Sequence, residues 1–139
     1  MSEIDPAFLS TSQALGDLAL CHVRLQADAR FPWIVLIPRV AGASELEHLA
    51  QGERDVLLEE ILRVGTAVRA VGEALGRPAG KLNIGQLGNV TAQLHVHVVG
   101  RRPGDAAWPG PVWGFGEPAA YRPRDLETAI AAARVALGL

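Results

Sequence analysis

Residues 93–99 constrain the fold of this chain more than any other stretch. They read Gln-Leu-His-Val-His-Val-Val, so polar and apolar side chains alternate until the last position. Successive side chains of a strand point to opposite faces, and alternation is typical of a strand with one face in the core. We therefore predict a strand over Leu94–Val99. Gln93, His95 and His97 should share its other face, about 6 to 7 Å apart along the chain.

Three further segments have the composition of strands. Trp33–Ile37 is apolar throughout and is followed by Pro38, which predicts a central strand covered on both faces. Leu18–Leu25 alternates and predicts another strand, and Lys81–Gln86 predicts a short one. Residues 1–16 are weakly patterned, and we expect an irregular arm or a short edge strand there.

Two segments have helical periodicity. From Glu53 to about Leu75, apolar side chains recur in steps of three and four along one stripe, and Gly76 follows where the helix should end. Residues 124–137 predict a C-terminal helix, and the glycine-rich and proline-rich stretch 101–123 predicts a long loop. Strands grouped around one long helix favour an antiparallel α+β fold.

Length, charge and cysteine content exclude several classes of protein. The chain has 139 residues, and we expect a single domain over residues 1–139. Its formal net charge is −2, so no basic field indicates a nucleic-acid partner. The longest apolar run is too short to cross a membrane, and no secretory signal is evident. With Cys21 as the single cysteine, we expect a cytoplasmic protein without a disulfide or a thiolate-rich zinc site.

The chemistry of the chain is concentrated before and within the predicted strand at 94–99. Polar side chains in line on an apolar strand need hydrogen-bonding partners, water or a ligand. A turn containing Gly85 and Gly88 precedes them and could present backbone N–H groups to an anion. A solvated strand face that happens to carry histidines is the alternative interpretation.

This pattern resembles the histidine-triad (HIT) family, whose motif is His-φ-His-φ-His-φ-φ with φ apolar. Residues 93–99 match it at six of seven positions, with Gln93 in place of the first histidine. The resemblance includes the Ile-Pro-basic strand end within 31–39, Asn83 before the motif, and the Trp-Pro-Gly segment 108–110. It covers about residues 18–110, and it is similar to a bacterial branch with Gln at the first triad position.

The resemblance implies a fold and a chemistry. The fold would be an antiparallel sheet of about five strands with one long helix and a C-terminal helix, assembled as a homodimer. The activity would be hydrolysis or transfer of a nucleotidyl group at the α-phosphorus of a nucleoside phosphate derivative, such as a dinucleoside polyphosphate. His95 would be the nucleophile and His97 its partner at the phosphate, and no cofactor or metal would be required. We expect the substrate to contact Asn83, Asn89, Thr91 and Trp108.

Gln93 is the main departure from the family pattern. An amide can donate and accept hydrogen bonds but cannot carry a proton, so we count Gln93 in the catalytic set only as an orienting residue. The departure leaves open a nucleotide-binding module with little turnover. A third hypothesis is a metalloprotein that uses His95 and His97, with His22 or Glu117 completing the ligand set.

Overall fold

A computed structural model describes residues 3–139. Their regular elements are, in chain order, α1 (Pro6–Thr11), β1 (Ser12–Asp17), β2 (Cys21–Gln26), β3 (Trp33–Pro38), a 3-10 turn (Leu46–His48), α2 (Gln51–Ala74), β4 (Lys81–Gly85), β5 (Val96–Arg101) and α3 (Pro123–Leu137). The strands form one antiparallel sheet in the order β1-β2-β3-β5-β4. The predicted α+β fold is therefore confirmed.

Strand β3 lies at the centre of the sheet, as its apolar composition predicts. All six of its residues are buried, because both faces of the sheet are covered. On one face, side chains such as Ile34 and Leu36 pack with α2 and α3 in a large core. On the other face, Trp33, Val35 and Ile37 pack with α1 and with the loop that follows β5. The side chains of this second face surround the histidines.

Helix α2 forms because its apolar side chains lie on one stripe. Leu57, Val64, Val68 and Val71 are buried against the sheet and α3. The helix ends where Gly76 adopts a positive φ of 73°, a conformation that costs glycine little. The predicted helix over residues 53–75 matches α2 to within about two residues at each end.

The N-terminal part of the chain is more ordered than its sequence pattern indicates. A short helix, α1, precedes the edge strand β1, and Asp5 caps it by accepting a hydrogen bond from the Ala7 N–H at 2.9 Å. Pro6 occupies the first helical position, where its missing N–H costs nothing. The strand predicted from Leu18 begins only at Cys21, because residues 18–20 form the turn between β1 and β2.

The loop after β5 is fixed by a buried ion pair. Arg101 is 1% exposed, and its guanidinium donates to both carboxylate oxygens of Asp105 at 2.8 and 3.0 Å. That carboxylate also accepts the Trp108 N–H at 2.8 Å. These bonds hold the pKa of Asp105 below its usual range, although burial alone would raise it. Within residues 3–139, no helix is long and apolar enough to cross a membrane.

Candidate active site

The two histidines of the motif lie in one cavity of about 520 Å³. Their ring centroids are 4.9 Å apart, and the rings meet edge to face. The cavity opens on the sheet face opposite α2, where α1 and the loop after β5 form its sides. It is lined by Ala7, Phe8, Ser10, Thr11, Gln26, Trp33, Val35, Leu87, Gly88, Asn89, Val90, Thr91, His95, His97, Trp113 and Gly114.

His95 is held in a defined orientation and tautomer. Its ring is 5% exposed, and its Nδ1 lies 2.7 Å from the main-chain carbonyl oxygen of Gln93. A carbonyl oxygen can only accept, so the hydrogen of the neutral ring is on Nδ1. The other ring nitrogen, Nε2, keeps its lone pair. Phe8 packs against the ring edge to face, with centroids 4.9 Å apart, and restricts its rotation.

His97 is held in the opposite tautomer. The indole N–H of Trp33 donates to its Nδ1 at 3.0 Å, so the hydrogen of the neutral ring is on Nε2. Burial, and to a smaller extent the nearby His95, lower the pKa of His97 to about 4. In their neutral forms, the two rings therefore offer the cavity one free lone pair, on His95, and one free N–H donor, on His97.

The rest of the lining is aromatic and neutral. The Trp113 ring lies 5.6 Å from the His97 ring and 6.3 Å from the Trp33 ring, each in an edge-to-face contact. Within residues 3–139, no Lys, Arg, Asp or Glu side chain lines the cavity. Apart from the histidines, the polar side chains of the lining are Ser10, Thr11, Gln26, Asn89 and Thr91. A ligand in this cavity would therefore meet aromatic rings and neutral hydrogen-bonding groups.

The structure brings together only some of the predicted site residues. His95, His97, Asn89 and Thr91 line the same cavity. Gln93 contributes its carbonyl oxygen to His95, but its side chain does not line the cavity. The amide instead bonds to the main chain of residues 3–5.

Asn83 and Trp108, which we also expect to contact the substrate, lie outside the cavity. Asn83 is on β4 opposite Val99, and its Oδ1 accepts a hydrogen bond from Arg101 at 2.7 Å. Trp108 is 39% exposed, with its ring 5.7 Å from the Arg101 guanidinium carbon. Both residues thus contact Arg101, the cation of the buried ion pair that fixes the loop.

Sequence reasoning missed several residues of the cavity. Phe8 and its neighbours on α1 were assigned to an irregular arm, although Asp5-Pro6 is a recognisable helix start. Gln26 ends β2 on the same face as the histidines, a position that the alternation of that strand could have indicated. Trp113 is different, because its place among Pro and Gly residues suggests either stacking on a base or anchoring of the loop, and it does reach the cavity.

The metal hypothesis has no complete ligand set in the structure. Among residues 3–139, no group of three or more His, Cys, Asp or Glu side chains is placed to hold a metal ion. His22, one of the proposed additional ligands, bonds Asp17 through Nδ1 at 2.7 Å and Arg24 through Nε2 at 3.2 Å. Glu117, the other, is exposed on the long loop and does not line the cavity.

The sheet order, the long helix and an imidazole pair at the start of an inner strand define an α+β protein that presents two histidines to one cavity. Comparisons with known proteins identify the family to which such a protein belongs. A family model of the HIT domain matches residues 8–104. Among proteins of curated function, none matched the chain.

Solved structures of three bacterial histidine triad proteins are similar over almost the whole chain. The Sinorhizobium meliloti protein is 38% identical with a TM-score of 0.86, and the alignment covers 96% of this chain and 95% of that one. For the Bradyrhizobium japonicum protein the values are 39% and 0.87, with 96% of each chain covered. For the Marinobacter aquaeolei protein they are 33% and 0.89, with 99% and 97% covered.

The chain belongs to the HIT family. Proteins of this family are generally nucleotide-binding hydrolases and transferases. The sequence resemblance to the family is thereby confirmed, as is the five-stranded fold that it implies.

Proposed function

We propose that this protein hydrolyses or transfers a nucleotidyl group, attacking the α-phosphorus of a nucleoside phosphate derivative through His95. One observation carries the proposal. The Gln93 carbonyl fixes the Nδ1–H tautomer of His95, which leaves the Nε2 lone pair on a buried ring that lines the cavity. A neutral imidazole with a free lone pair is a good nucleophile near pH 7.

The reaction proceeds in two displacements. In the first, His95 Nε2 forms a bond to the α-phosphorus while the bond from phosphorus to the leaving group breaks, and the electron pair leaves with that group. In the second, water attacks the same phosphorus, the P–N bond breaks with its electrons returning to Nε2, and the proton of the water passes to solvent. The products are a nucleoside monophosphate and the released group. An acceptor other than water would give nucleotidyl transfer instead.

His97 stabilises the charge that develops during both displacements. Its Nε2–H is the free donor of the ring, because Trp33 occupies Nδ1. A donor aimed at an oxygen that gains charge in the transition state lowers the barrier more than it strengthens ground-state binding. The rings of His95 and His97 are in contact, so such a donor lies beside the reacting phosphorus. Gln93 orients the His95 ring through its main-chain carbonyl oxygen.

The neutral lining bears on the choice of substrate. We infer that Asn89 and Thr91 bind polar atoms of the nucleotide, and that Trp113 packs against its base or leaving group. Each phosphate placed in this cavity brings negative charge to a site that receives no cationic side chain from residues 3–139. Substrates that place only their α-phosphate in the cavity should therefore have a higher kcat/KM than dinucleoside polyphosphates that place several phosphates there, although both belong to the proposed class.

A homodimer is part of the proposal. Strand β4 is an edge of the sheet, and open strand edges invite pairing with another chain. Ile84 on this strand is 51% exposed, and Leu58 and Leu62 on α2 are each 56% exposed. Light scattering coupled to gel filtration measures the assembly directly, and a monomer at all concentrations would exclude it. We also propose that the chain belongs to the branch with Gln at the first triad position.

Turnover of two probes tests the activity. The purified protein is incubated with an adenosine 5′-phosphoramidate and with a dinucleoside polyphosphate, and AMP is quantified by chromatography. His95→Ala should lower the rate by more than about 10³-fold, since removing a nucleophile removes the covalent route. His48→Ala is the matched control, because His48 is exposed and outside the cavity. Mass spectrometry of the quenched wild-type reaction should show a nucleotidyl adduct on His95.

Absence of AMP from every probe, together with measurable nucleotide binding, would refute catalysis and support the second candidate, a nucleotide-binding module. A specific observation favours this candidate. The side chain at the first triad position, Gln93, bonds away from the cavity, so the cavity contains two imidazoles rather than three polar triad groups. Equal rates for His95→Ala and the wild type would instead place the activity at another residue.

A further inference from the structure

The side chain of Gln93 pairs with the main chain of the N-terminal segment. Its Oε1 accepts the Asp5 N–H at 2.7 Å, and its Nε2 donates to the Glu3 carbonyl oxygen at 2.9 Å. The carbonyl of one residue and the N–H of the residue two further on point to the same side of an extended segment. A primary amide presents an acceptor and a donor along one edge, and so it matches both groups at once.

The pairing fixes the residue at which α1 begins. Asp5 receives the bond from Gln93 on its N–H, and its carboxylate caps the helix through the Ala7 N–H at 2.9 Å. Helix α1 has only six residues and is too short to be stable by itself. Its position over the cavity therefore depends on contacts such as this one, made with a residue almost 90 positions later in the chain.

Helix α1 in turn forms a side of the cavity next to His95. Phe8 is 6% exposed and contacts the His95 ring edge to face with centroids 4.9 Å apart. Ala7, Ser10 and Thr11 also line the cavity. The two hydrogen bonds of the Gln93 amide are thus connected to the reacting ring through Asp5 and Phe8.

We propose that Gln93 is a positioning residue whose amide holds residues 3–5, so that α1 shapes the cavity and Phe8 restrains the His95 ring. The proposal rests on the proposed function for its kinetic consequences, but the contact can also be tested without turnover. An imidazole at this position could not make both bonds to the same segment, because its two nitrogens face different directions. Glutamine at the first triad position therefore makes a contact in this chain that histidine could not make.

Gln93→Met tests the proposal, because it keeps the shape of the side chain and removes both hydrogen bonds. We expect faster hydrogen exchange in the peptide covering residues 6–12 and weaker binding of AMP by about three- to tenfold. KM should rise by a similar factor while kcat changes less than about threefold, since no group that touches the phosphorus is lost. Gln51→Met is the control, because Gln51 is an exposed glutamine at the start of α2.

A double-mutant cycle with Phe8→Ala separates positioning from direct catalysis. If Gln93 acts through α1, Gln93→Met should have little further effect on binding or KM once Phe8 is truncated. Unchanged exchange in residues 6–12 would overturn the proposal, and so would a kcat loss of more than about 100-fold with normal AMP binding. If the wild type has no turnover, the proposed hydrolase fails, while exchange and AMP binding still decide the role of Gln93.

Discussion

Trp33→Phe isolates the hydrogen bond that sets the tautomer of His97. The substitution keeps an aromatic ring at a buried position of β3 and removes the indole N–H that donates to Nδ1 at 3.0 Å. Without this donor, the hydrogen of His97 can occupy either ring nitrogen. The fraction of molecules with a donor on Nε2 then falls, and transition-state stabilisation falls with it.

The expected size of the effect follows from the single bond that is lost. A neutral hydrogen bond contributes about 0.5 to 1.5 kcal/mol net, and about 1.4 kcal/mol corresponds to tenfold in rate. We therefore expect kcat/KM for the phosphoramidate to fall by about two- to tenfold. The tautomer itself is measured by nitrogen-15 NMR of the histidine rings, which distinguishes a protonated from an unprotonated Nδ1.

Trp113→Phe is the matched control for this prediction. Trp113 lines the same cavity, and the substitution removes the same part of the side chain. Its buried indole nitrogen makes no hydrogen bond to any group in residues 3–139, so no bond to a histidine is lost. Trp113→Phe should leave the nitrogen signals of His97 unchanged, whatever activity it loses through its own place in the cavity. If those signals also stay unchanged in Trp33→Phe, the tautomer argument is refuted.

Two further predictions concern stability. Asp105→Asn leaves the buried charge of Arg101 without its carboxylate, and urea denaturation should show a loss of about 3 to 5 kcal/mol in unfolding free energy. Asp55→Asn is the control, because Asp55 is exposed on α2 and its substitution should change the unfolding free energy little. Because the pKa of His97 falls from 6.5 to about 4 on folding, the unfolded chain binds a proton first as the pH decreases. The contribution of His97 to the unfolding free energy should therefore be complete above about pH 6.5 and decline by up to about 3 kcal/mol toward pH 4. His97→Asn should make the unfolding free energy depend less on pH in this range. An equal pH dependence in the variant and the wild type would refute the claim that His97 is buried in its neutral form.

Much of the fold could be predicted because its signals are local. The apolar run before Pro38 specifies a strand buried on both faces, and the spacing of Leu57, Val64 and Val71 specifies one buried stripe on α2. The motif also predicts that His95 and His97 face the same side, and both line one cavity, although His95 lies just before β5 rather than within it. These features depend only on periodicity, which sequence reasoning detects.

The remainder depends on partners that are distant in sequence. Strand alternation predicts Gln93 beside the two histidines, but β5 begins only at Val96, so the rule does not govern the side chain of Gln93. The side chain of Asn83 accepts a hydrogen bond from Arg101, and that contact follows from the register between β4 and β5 rather than from composition. Trp113 rather than Trp108 reaches the cavity because the ion pair at Asp105 fixes the course of the loop.

The contact between Gln93 and residues 3–5 also has a consequence for the order of folding. The segment that forms a side of the cavity is made early in synthesis, and its partner follows about 90 residues later. Contacts of such high sequence separation form late, because closing the intervening chain costs entropy before the contact repays it. The cavity around His95 should therefore be among the last parts of the molecule to assemble, and refolding should restore the sheet before it restores ligand binding.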